Sequence, residues 1–219
     1  MNKLFSIVLI LTISSCSSIA FWESDEVDPD EPRELIDFNE KFEFTENWEA
    51  NFKGESILNN FVPAFSGSSL FFVDPEGNVK SMDVNSGEVL WDLELEIIVS
   101  TGIVAGFGRL FLSDDQGNLI CLNQDDGSLL WKSFAGGEVL ANVDVDAGLV
   151  VVKTASGFLN AFDIETGVKE WSYRSQAPNL TVRGSSSPVI DENLVYATFD
   201  NGRIGAFNLK TGLPVWDGA

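Results

Sequence analysis

Residues 161–171 read Ala-Phe-Asp-Ile-Glu-Thr-Gly-Val-Lys-Glu-Trp, and the chain contains four versions of this pattern. When the versions are aligned, a preceding glycine recurs at intervals of 40, 40 and 45 residues, at positions 77, 117, 157 and 202. A tryptophan follows each of these glycines after fourteen residues, at Trp91, Trp131, Trp171 and Trp216. Repeats of this length indicate stacked supersecondary units, and short strands separated by turns favour propeller blades over helical solenoids.

Each repeat has the pattern of successive hairpins. A strand such as residues 149–152 runs into a Gly-containing turn, a second strand ends in Asp or Asn, and a second turn precedes the strand that carries the tryptophan. We expect the second turn's glycine to adopt positive φ and the tryptophan to pack on the neighbouring blade. These blade-docking glycines are Gly87, Gly127, Gly167 and Gly212. The prediction is an all-β propeller of four-stranded antiparallel blades, with about four blades in this chain.

Residues 161–171 match the A-x-D-x-x-T-G-x-x-x-W docking motif, and the repeats therefore resemble the quinoprotein-type (PQQ-like) β-propeller family. The other copies depart from the motif, with Ser81 or Cys121 at the Ala position and Asn123 or Asn208 at the Asp position. The resemblance implies a fold and leaves the activity open, because enzymes and pure scaffolds share this repeat.

The first residues have the pattern of an export signal. An apolar run from Leu4 to Ile13 follows Lys3, and Ser14-Ser15-Cys16 resembles a bacterial lipobox. The run is too short to span a bilayer. Cys16 is therefore predicted to be the acylated first residue of the mature chain, and Ser17 after it resembles the pattern of lipoproteins sent to the outer membrane. An ordinary signal peptide with an incidental Cys16 is the alternative.

Acidic residues dominate positions 23–43, where Pro29 and Pro32 break any helix. Such a segment is predicted to be a solvated tether, with a reach from Cys16 to Thr45 on the order of 30 Å as a coil and about 100 Å fully extended. We therefore divide the chain into a lipoprotein signal peptide (1–15), a lipidated Cys with an acidic tether (16–45) and the PQQ-like repeats (46–219).

The charge of −21 argues against nucleic acid as a partner and against flat adhesion to anionic lipid, so membrane association is expected through the lipid anchor alone. Cys121 stands at the small-residue position of its repeat and is predicted to be a buried packing residue.

No catalytic residue, metal site or cofactor is predicted. The chain has no His, the commonest general base and metal ligand, and it contains no recognisable nucleophile or phosphate-loop motif. The acidic pairs Asp114-Asp115 and Asp125-Asp126 are expected to form turns on a solvated rim, with a calcium site as the alternative. An enzyme hypothesis rests on the quinoprotein resemblance, which implies a quinone, a calcium cage and a vicinal disulfide, and no such residues are recognisable.

The fourth repeat is five residues longer than the others, and the extra length lies between Trp171 and Gly202. This places a longer connection between blades at residues 176–187, where binding residues gather on rigid folds. It offers Leu180, Val182 and Arg183, an apolar pair beside a cation, as a small interface. Two alternatives stay open: Leu180 and Val182 begin a buried strand, or Arg183 only neutralises nearby acids.

Trp48 resembles the tryptophan of a further repeat that is otherwise missing. It is expected to belong to an N-terminal strand that closes the last blade of a ring, and propellers close with four to eight blades. The expectation is that the sequence is a truncated gene product or part of a chain near twice as long. A four-bladed ring is the alternative.

The lipobox, acidic tether, PQQ-like repeats and the Leu180-Thr181-Val182-Arg183-Gly184 run together resemble the BamB family of outer-membrane β-barrel assembly lipoproteins. The resemblance implies an eight-bladed propeller whose Leu-x-Leu-Arg loop docks on a periplasmic POTRA domain of BamA, the barrel-forming subunit. The match carries to Leu180, Val182, where the family often has Leu, and Arg183. The family's second, acidic contact loop would lie beyond Ala219.

The resemblance implies a non-catalytic scaffold on the periplasmic face of the outer membrane. Unfolded barrel-protein clients that pair with exposed blade edges are a further hypothesis. Two other classes remain as alternatives, a PQQ-dependent quinoprotein dehydrogenase and an exported sensor or binding propeller.

Overall fold

The computed structural model describes residues 41–42, 44–51, 61–176 and 186–218. The chain separates into two compact units, Met1–Thr45 and Glu46–Ala219, and the described strands all lie in the second. The described residues form sixteen β-strands and no helix, so none of them belongs to a helix able to cross a bilayer.

The strands form four antiparallel sheets, each with its strands in chain order. Blade 1 contains β1 (Ala64–Ser66), β2 (Ser69–Val73), β3 (Asn78–Asp83) and β4 (Val89–Glu94). Blade 2 contains β5 (Val104–Gly106), β6 (Arg109–Ser113), β7 (Asn118–Asn123) and β8 (Leu129–Phe134). Blade 3 contains β9 (Asp144–Asp146), β10 (Leu149–Lys153), β11 (Phe158–Asp163) and β12 (Lys169–Arg174). Blade 4 contains β13 (Val189–Asp191), β14 (Leu194–Thr198), β15 (Ile204–Asn208) and β16 (Pro214–Gly218).

This architecture confirms the prediction of an all-β propeller with four-stranded antiparallel blades. The first strands of successive blades, β1, β5, β9 and β13, contact one another, so the first strand of each blade is innermost and the tryptophan strand is outermost.

The core lies between neighbouring blades. The middle strand β10 is buried along its whole length, and its residues alternate between two cores. Val150 packs in the core shared with blade 2, whereas Val151 packs in the core shared with blade 4. Because successive side chains of a strand point to opposite faces, a strand covered on both sides is a continuous apolar run.

A β-bulge marks the same place in every blade. In blade 3 the register shifts between Ala161 and Phe162, so that Ala161 lies directly opposite Trp171 and Glu170 is left unpaired. The same shift follows Ser81, Cys121 and Ala206, each of which lies opposite its blade's tryptophan. A small residue at this position therefore leaves room beside the indole.

Candidate functional site

The four blades are joined by a repeated contact, which we call the tryptophan dock. The indole of one blade lies over the glycine of the next blade's second turn, and its Nε1 donates to the carbonyl three residues before that glycine. The donor–acceptor distances are 3.2 Å for Trp91 to Gln124, 3.0 Å for Trp131 to Ile164 and 2.7 Å for Trp171 to Leu209. The docked glycines are Gly127, Gly167 and Gly212, each with a φ between 66° and 72°.

The glycine is required for two independent reasons. Positive φ is unfavourable for residues with a Cβ atom. In addition, a Cβ atom on Gly167 would lie 2.6 Å from two carbon atoms of the Trp131 ring. In these three docks the tryptophan of one blade and the glycine of the next therefore lie in direct contact.

The Asp and Thr of the motif build the turn beneath the indole. Asp163 Oδ1 accepts from the backbone amides of Glu165 and Thr166 and from the Thr166 hydroxyl. The hydrogen bond from the Thr166 hydroxyl, with a smaller effect of the backbone amides, holds the pKa of Asp163 below its ordinary value. Asn208 Oδ1 accepts the corresponding three bonds in blade 4. An amide oxygen can therefore accept the same three hydrogen bonds as a carboxylate oxygen, which explains why Asn replaces Asp in that repeat.

Trp48 makes the corresponding contact on blade 1. Its Nε1 donates to Val84 O at 3.0 Å, and a Cβ atom on Gly87 would lie 2.7 Å from its ring. Residues 44–51 form no strand. Trp48 therefore occupies the dock of blade 1, as expected for a closing strand, but residues 44–51 themselves do not form a strand.

Trp216 is the exposed member of the series. It contacts the Tyr196 ring, with centroids 6.3 Å apart, and remains 47% exposed. Among the described residues, no hydrogen-bond acceptor is found for its Nε1.

The expectation of a solvated rim is wrong for Asp114. This side chain is buried, and its Oδ2 lies 2.8 Å from Lys132 Nζ. Burial raises the pKa of Asp114, but the hydrogen bonds from Lys132 and Asn118 outweigh that effect and hold the pKa below its ordinary value. Asp114 was misplaced because its opposite charge comes from Lys132 on β8, which only the folded blade brings beside it. No group of three or more potential ligands among the described residues could hold a metal ion.

The Cys121 thiol is fully buried, as predicted, in the core between blades 2 and 3. Burial raises the pKa of Cys121 to about 12. Because the thiolate is the reactive form, this thiol is unsuited to nucleophilic chemistry at neutral pH.

Leu180, Val182 and Arg183, predicted to contact a partner, lie outside the described residues, as does the predicted lipidation site Cys16. The residues that flank the 177–185 segment are described, and both flanks are held by side chains that the sequence analysis did not select. Lys153 Nζ donates to Ser186 Oγ at 3.0 Å, and Asn201 Nδ2 donates to Gln176 O at 2.9 Å. One feature of the sequence could have indicated Lys153. It is a Lys at a repeat position that is otherwise occupied by Val73, Ser113 and Thr198.

The chain was compared with known proteins. A family model described as "Outer membrane protein assembly factor BamB" matches residues 75–219. Relatives with that name include proteins of Nitrosomonas eutropha, 31% identical over 89% of this chain and 47% of the relative, and Kangiella koreensis, 32% identical over 99% and 54%. The chain spans about half the length of the curated relatives it matches.

Solved structures give the same fold. The crystal structure of BamB from Moraxella catarrhalis superposes with a TM-score of 0.67 at 27% identity, over 71% of this chain and 47% of that one. A quinohemoprotein alcohol dehydrogenase from Pseudomonas putida HK5 has a TM-score of 0.60 at 17% identity, over 71% and 33%. That second likeness shows the shared fold alone.

Proposed function

The chain belongs to the BamB family of outer membrane protein assembly factors, and from this premise we propose that it is a non-catalytic scaffold of the outer-membrane β-barrel assembly machinery. The observation that carries the proposal is the family match over residues 75–219, which includes the longer connection between blades 3 and 4. The proposed partner is a BamA-like barrel subunit, through its periplasmic POTRA domains.

We propose that the contact is made by Leu180, Val182 and Arg183. An apolar pair beside a guanidinium has the composition of an interface hot spot. Arg183 is one of only thirteen Lys and Arg residues in a chain with thirty-four acidic ones, so it would be a distinctive cation on this surface. A guanidinium binds a carboxylate of the partner through two parallel hydrogen bonds.

The rigid blades support a scaffold role. Each docking tryptophan of blades 1 to 3 joins its blade to the next through an apolar contact and a hydrogen bond. In the docking turns of blades 3 and 4, Asp163 and Asn208 each accept three hydrogen bonds from their own turn. A frame joined in this way loses little conformational entropy when a partner binds to it.

The protein is proposed to act from the periplasmic face of the outer membrane, held by lipid on Cys16. A tether of residues 16–45 reaches on the order of 30 Å as a coil, enough to let the propeller meet periplasmic domains of a membrane-embedded subunit. Replacement of Cys16 by Ala is expected to release the protein from the membrane fraction. Retention of that variant in washed membranes would contradict lipid anchoring.

Partner capture from detergent-solubilised outer membranes tests the scaffold proposal. The wild-type chain should recover the barrel subunit, and Leu180→Ala/Arg183→Ala should lose it, since truncation of a hot-spot residue costs about 2 kcal/mol or more, a factor of about 30. The matched control is Leu213→Ala/Arg203→Ala, which removes an exposed Leu and a surface Arg of blade 4.

The outcomes separate the candidate functions. Recovery by wild type and control but not by the test variant supports the contact. Equal recovery by all three places the contact elsewhere. If no partner is recovered and the preparation shows quinone absorbance, the protein is an enzyme of the quinoprotein class instead.

A further inference from the structure

The first turn of blade 2 carries a large aromatic residue in a strained backbone conformation. This turn joins β5 to β6, and its two residues, Phe107 and Gly108, both have positive φ, 54° and 73°. Two-residue hairpin turns of this kind favour Asn-Gly, because a bulky side chain is unfavourable in the left-handed region. The corresponding positive-φ residues of the other blades are Gly67, Ala147 and Glu192, so a large apolar side chain here is specific to blade 2.

The fold buries less than half of the Phe107 side chain. Phe107 is 59% exposed, whereas Phe71 and Phe111 are fully buried in the cores between blades. Because the hydrophobic contribution to stability scales with the apolar area removed from water, the exposed part of the ring adds nothing to the fold. Stability alone therefore does not explain a phenylalanine at this strained position, and such strain is concentrated at functional sites.

Arg109 and Gln124 hold the turn in place. Arg109 Nη1 donates to Phe107 O at 3.3 Å, and Gln124 N donates to Gly108 O at 3.1 Å. The Arg109 guanidinium also forms an ion pair with Glu165 in the docking turn of blade 3. The other blades have uncharged residues at the position of Arg109, namely Ser69, Leu149 and Leu194. An aromatic ring on a turn that is fixed in this way loses little conformational entropy when it enters a binding pocket.

The surroundings of the aromatic ring are acidic. Gln124, which is bonded to the turn, is followed in the blade 2 docking turn by the exposed residues Asp125 and Asp126. Glu165 is also exposed, and Arg109 compensates only one of these three carboxylates. A complementary protein surface has an apolar pocket for the ring and Lys or Arg side chains at the rim of that pocket. Those cations pair with the carboxylates and contact the face of the ring.

This turn lies at the same end of blade 2 as the docking turn, as the bond between Gly108 and Gln124 shows. The connection to blade 3 leaves from the other end, because β8 ends at Phe134, which pairs with Asn118 at the start of β7. Strand β6 is five residues long, so about 17 Å separates the two ends of the sheet. The ring therefore belongs to a surface that is separate from the connection after blade 2.

We propose that Phe107 is the anchor of a protein-docking surface at this end of blade 2, and that the partner is a folded protein with an apolar pocket rimmed by Lys or Arg. The carboxylates of Asp125, Asp126 and Glu165 face the rim of that pocket. The inference goes beyond the proposed function, because it gives the scaffold a second binding surface that uses none of residues 180–183.

Photo-crosslinking in the full chain tests whether a partner covers the ring. p-Benzoylphenylalanine replaces Phe107, and the matched control carries it at Ala147, the equivalent position of blade 3, which has a φ of 47°. After irradiation of outer membranes, position 107 should give one discrete protein adduct that position 147 does not give. Mass spectrometry should place the crosslink in an apolar segment next to Lys or Arg. The adduct should persist in the Leu180→Ala/Arg183→Ala background.

The protein identified in the adduct is then purified and titrated with wild type, Phe107→Asn and the control Ala147→Asn. Phe107→Asn should weaken binding at least about tenfold, as expected for an aromatic hot spot, and the control should bind like wild type. Asp125→Lys and added salt should each weaken binding about threefold or more, because the rim contact is electrostatic. Asparagine tolerates the left-handed region, so both Asn variants should melt within about 2 °C of wild type.

Absence of an adduct at position 107, the same adduct from position 147, or adducts to many unrelated proteins would overturn the inference. Equal binding of wild type and Phe107→Asn would also overturn it, as would binding that Asp125→Lys and salt leave unchanged. If Phe107→Asn loses affinity and also melts well below wild type, the ring has a structural role instead. Loss of the adduct in Leu180→Ala/Arg183→Ala would refute a separate surface.

Discussion

The tryptophan dock predicts that a single methyl group in the docking turn destabilises the propeller. The change is Gly167→Ala, and the matched control is Gly148→Ala in the β9–β10 turn of the same blade. Both glycines have positive φ, 68° and 82°, so both substitutions impose the same kind of backbone strain. They differ in surroundings, because beyond its chain neighbours no heavy atom lies within 4 Å of a Cβ on Gly148, whereas a Cβ on Gly167 would lie 2.6 Å from Trp131 and 2.8 Å from Ser133 Oγ.

The geometry sets the size of the difference. An alanine forced into the left-handed region costs about 1–2 kcal/mol at either site. Non-bonded carbon atoms prefer about 3.5–4.0 Å, so the Trp131 ring must move by about 1 Å, and such overpacking costs about 1–3 kcal/mol. Displacement of the ring also stretches the 3.0 Å bond from Trp131 Nε1 to Ile164 O. A buried pair left unsatisfied adds about 1–3 kcal/mol.

Equilibrium urea unfolding followed by tryptophan fluorescence measures both variants, with thermal melting as a second readout. Gly167→Ala should lose at least about 2 kcal/mol more free energy of unfolding than Gly148→Ala. That difference corresponds to a melting temperature about 4–8 °C lower for a domain of this size. Equal losses would show that φ strain alone explains the glycine and would refute the docking argument.

Three further outcomes are expected. Trp171→Phe removes the 2.7 Å bond to Leu209 O and should cost about 1–3 kcal/mol in urea unfolding; a loss below about 0.5 kcal/mol would contradict the role of that bond. Cys121, whose pKa burial raises to about 12, should resist alkylation by iodoacetamide at pH 8 in the native chain and react fully in urea, as read by mass spectrometry of its peptide; rapid native labelling would show that the site opens. The pKa of Asp114 is held below its ordinary value, so its stabilisation is present above about pH 4 and is lost as pH falls through the lower folded pKa. Asp114→Asn should therefore be less stable than wild type at pH 7 and should lose less free energy of unfolding between pH 4 and pH 2; parallel pH profiles would exclude a contribution from Lys132.

The strand ends could be predicted because one residue fixes them. The second long strand of each repeat was expected to end at Asp83, Asn123, Asp163 or Asn208, and β3, β7, β11 and β15 end at those residues. A short carboxylate or amide side chain bonds to the amides that follow it and so ends the strand locally. The signal lies within a few residues and needs no tertiary contact to be recognised.

The sequence predicts that each blade has a fourth, innermost strand, but it does not show which residues form that strand. Four strands per blade were predicted, but the repeat pattern locates only three of them in the sequence. The fourth, represented by Ala64–Ser66 and Asp144–Asp146, is three residues long and has no shared pattern across the repeats. Its pairing with the adjacent strand defines it, so the structure was needed to locate it. Asp114 was misplaced for the same reason, since its charge partner is on another strand.

The docking motif, which in the sequence indicates only a fold, also determines how residues of blades 3 and 4 meet at their junction. Lys153 ends one strand of blade 3 and Ser175 follows another, whereas Thr198 and Asn201 belong to blade 4, so their hydrogen bonds form only if the two blades keep a fixed distance. The Trp171–Leu209 bond and the core shared by these blades fix that distance. The residues that make this chain a propeller therefore also set the relative positions of Lys153, Thr198 and Asn201.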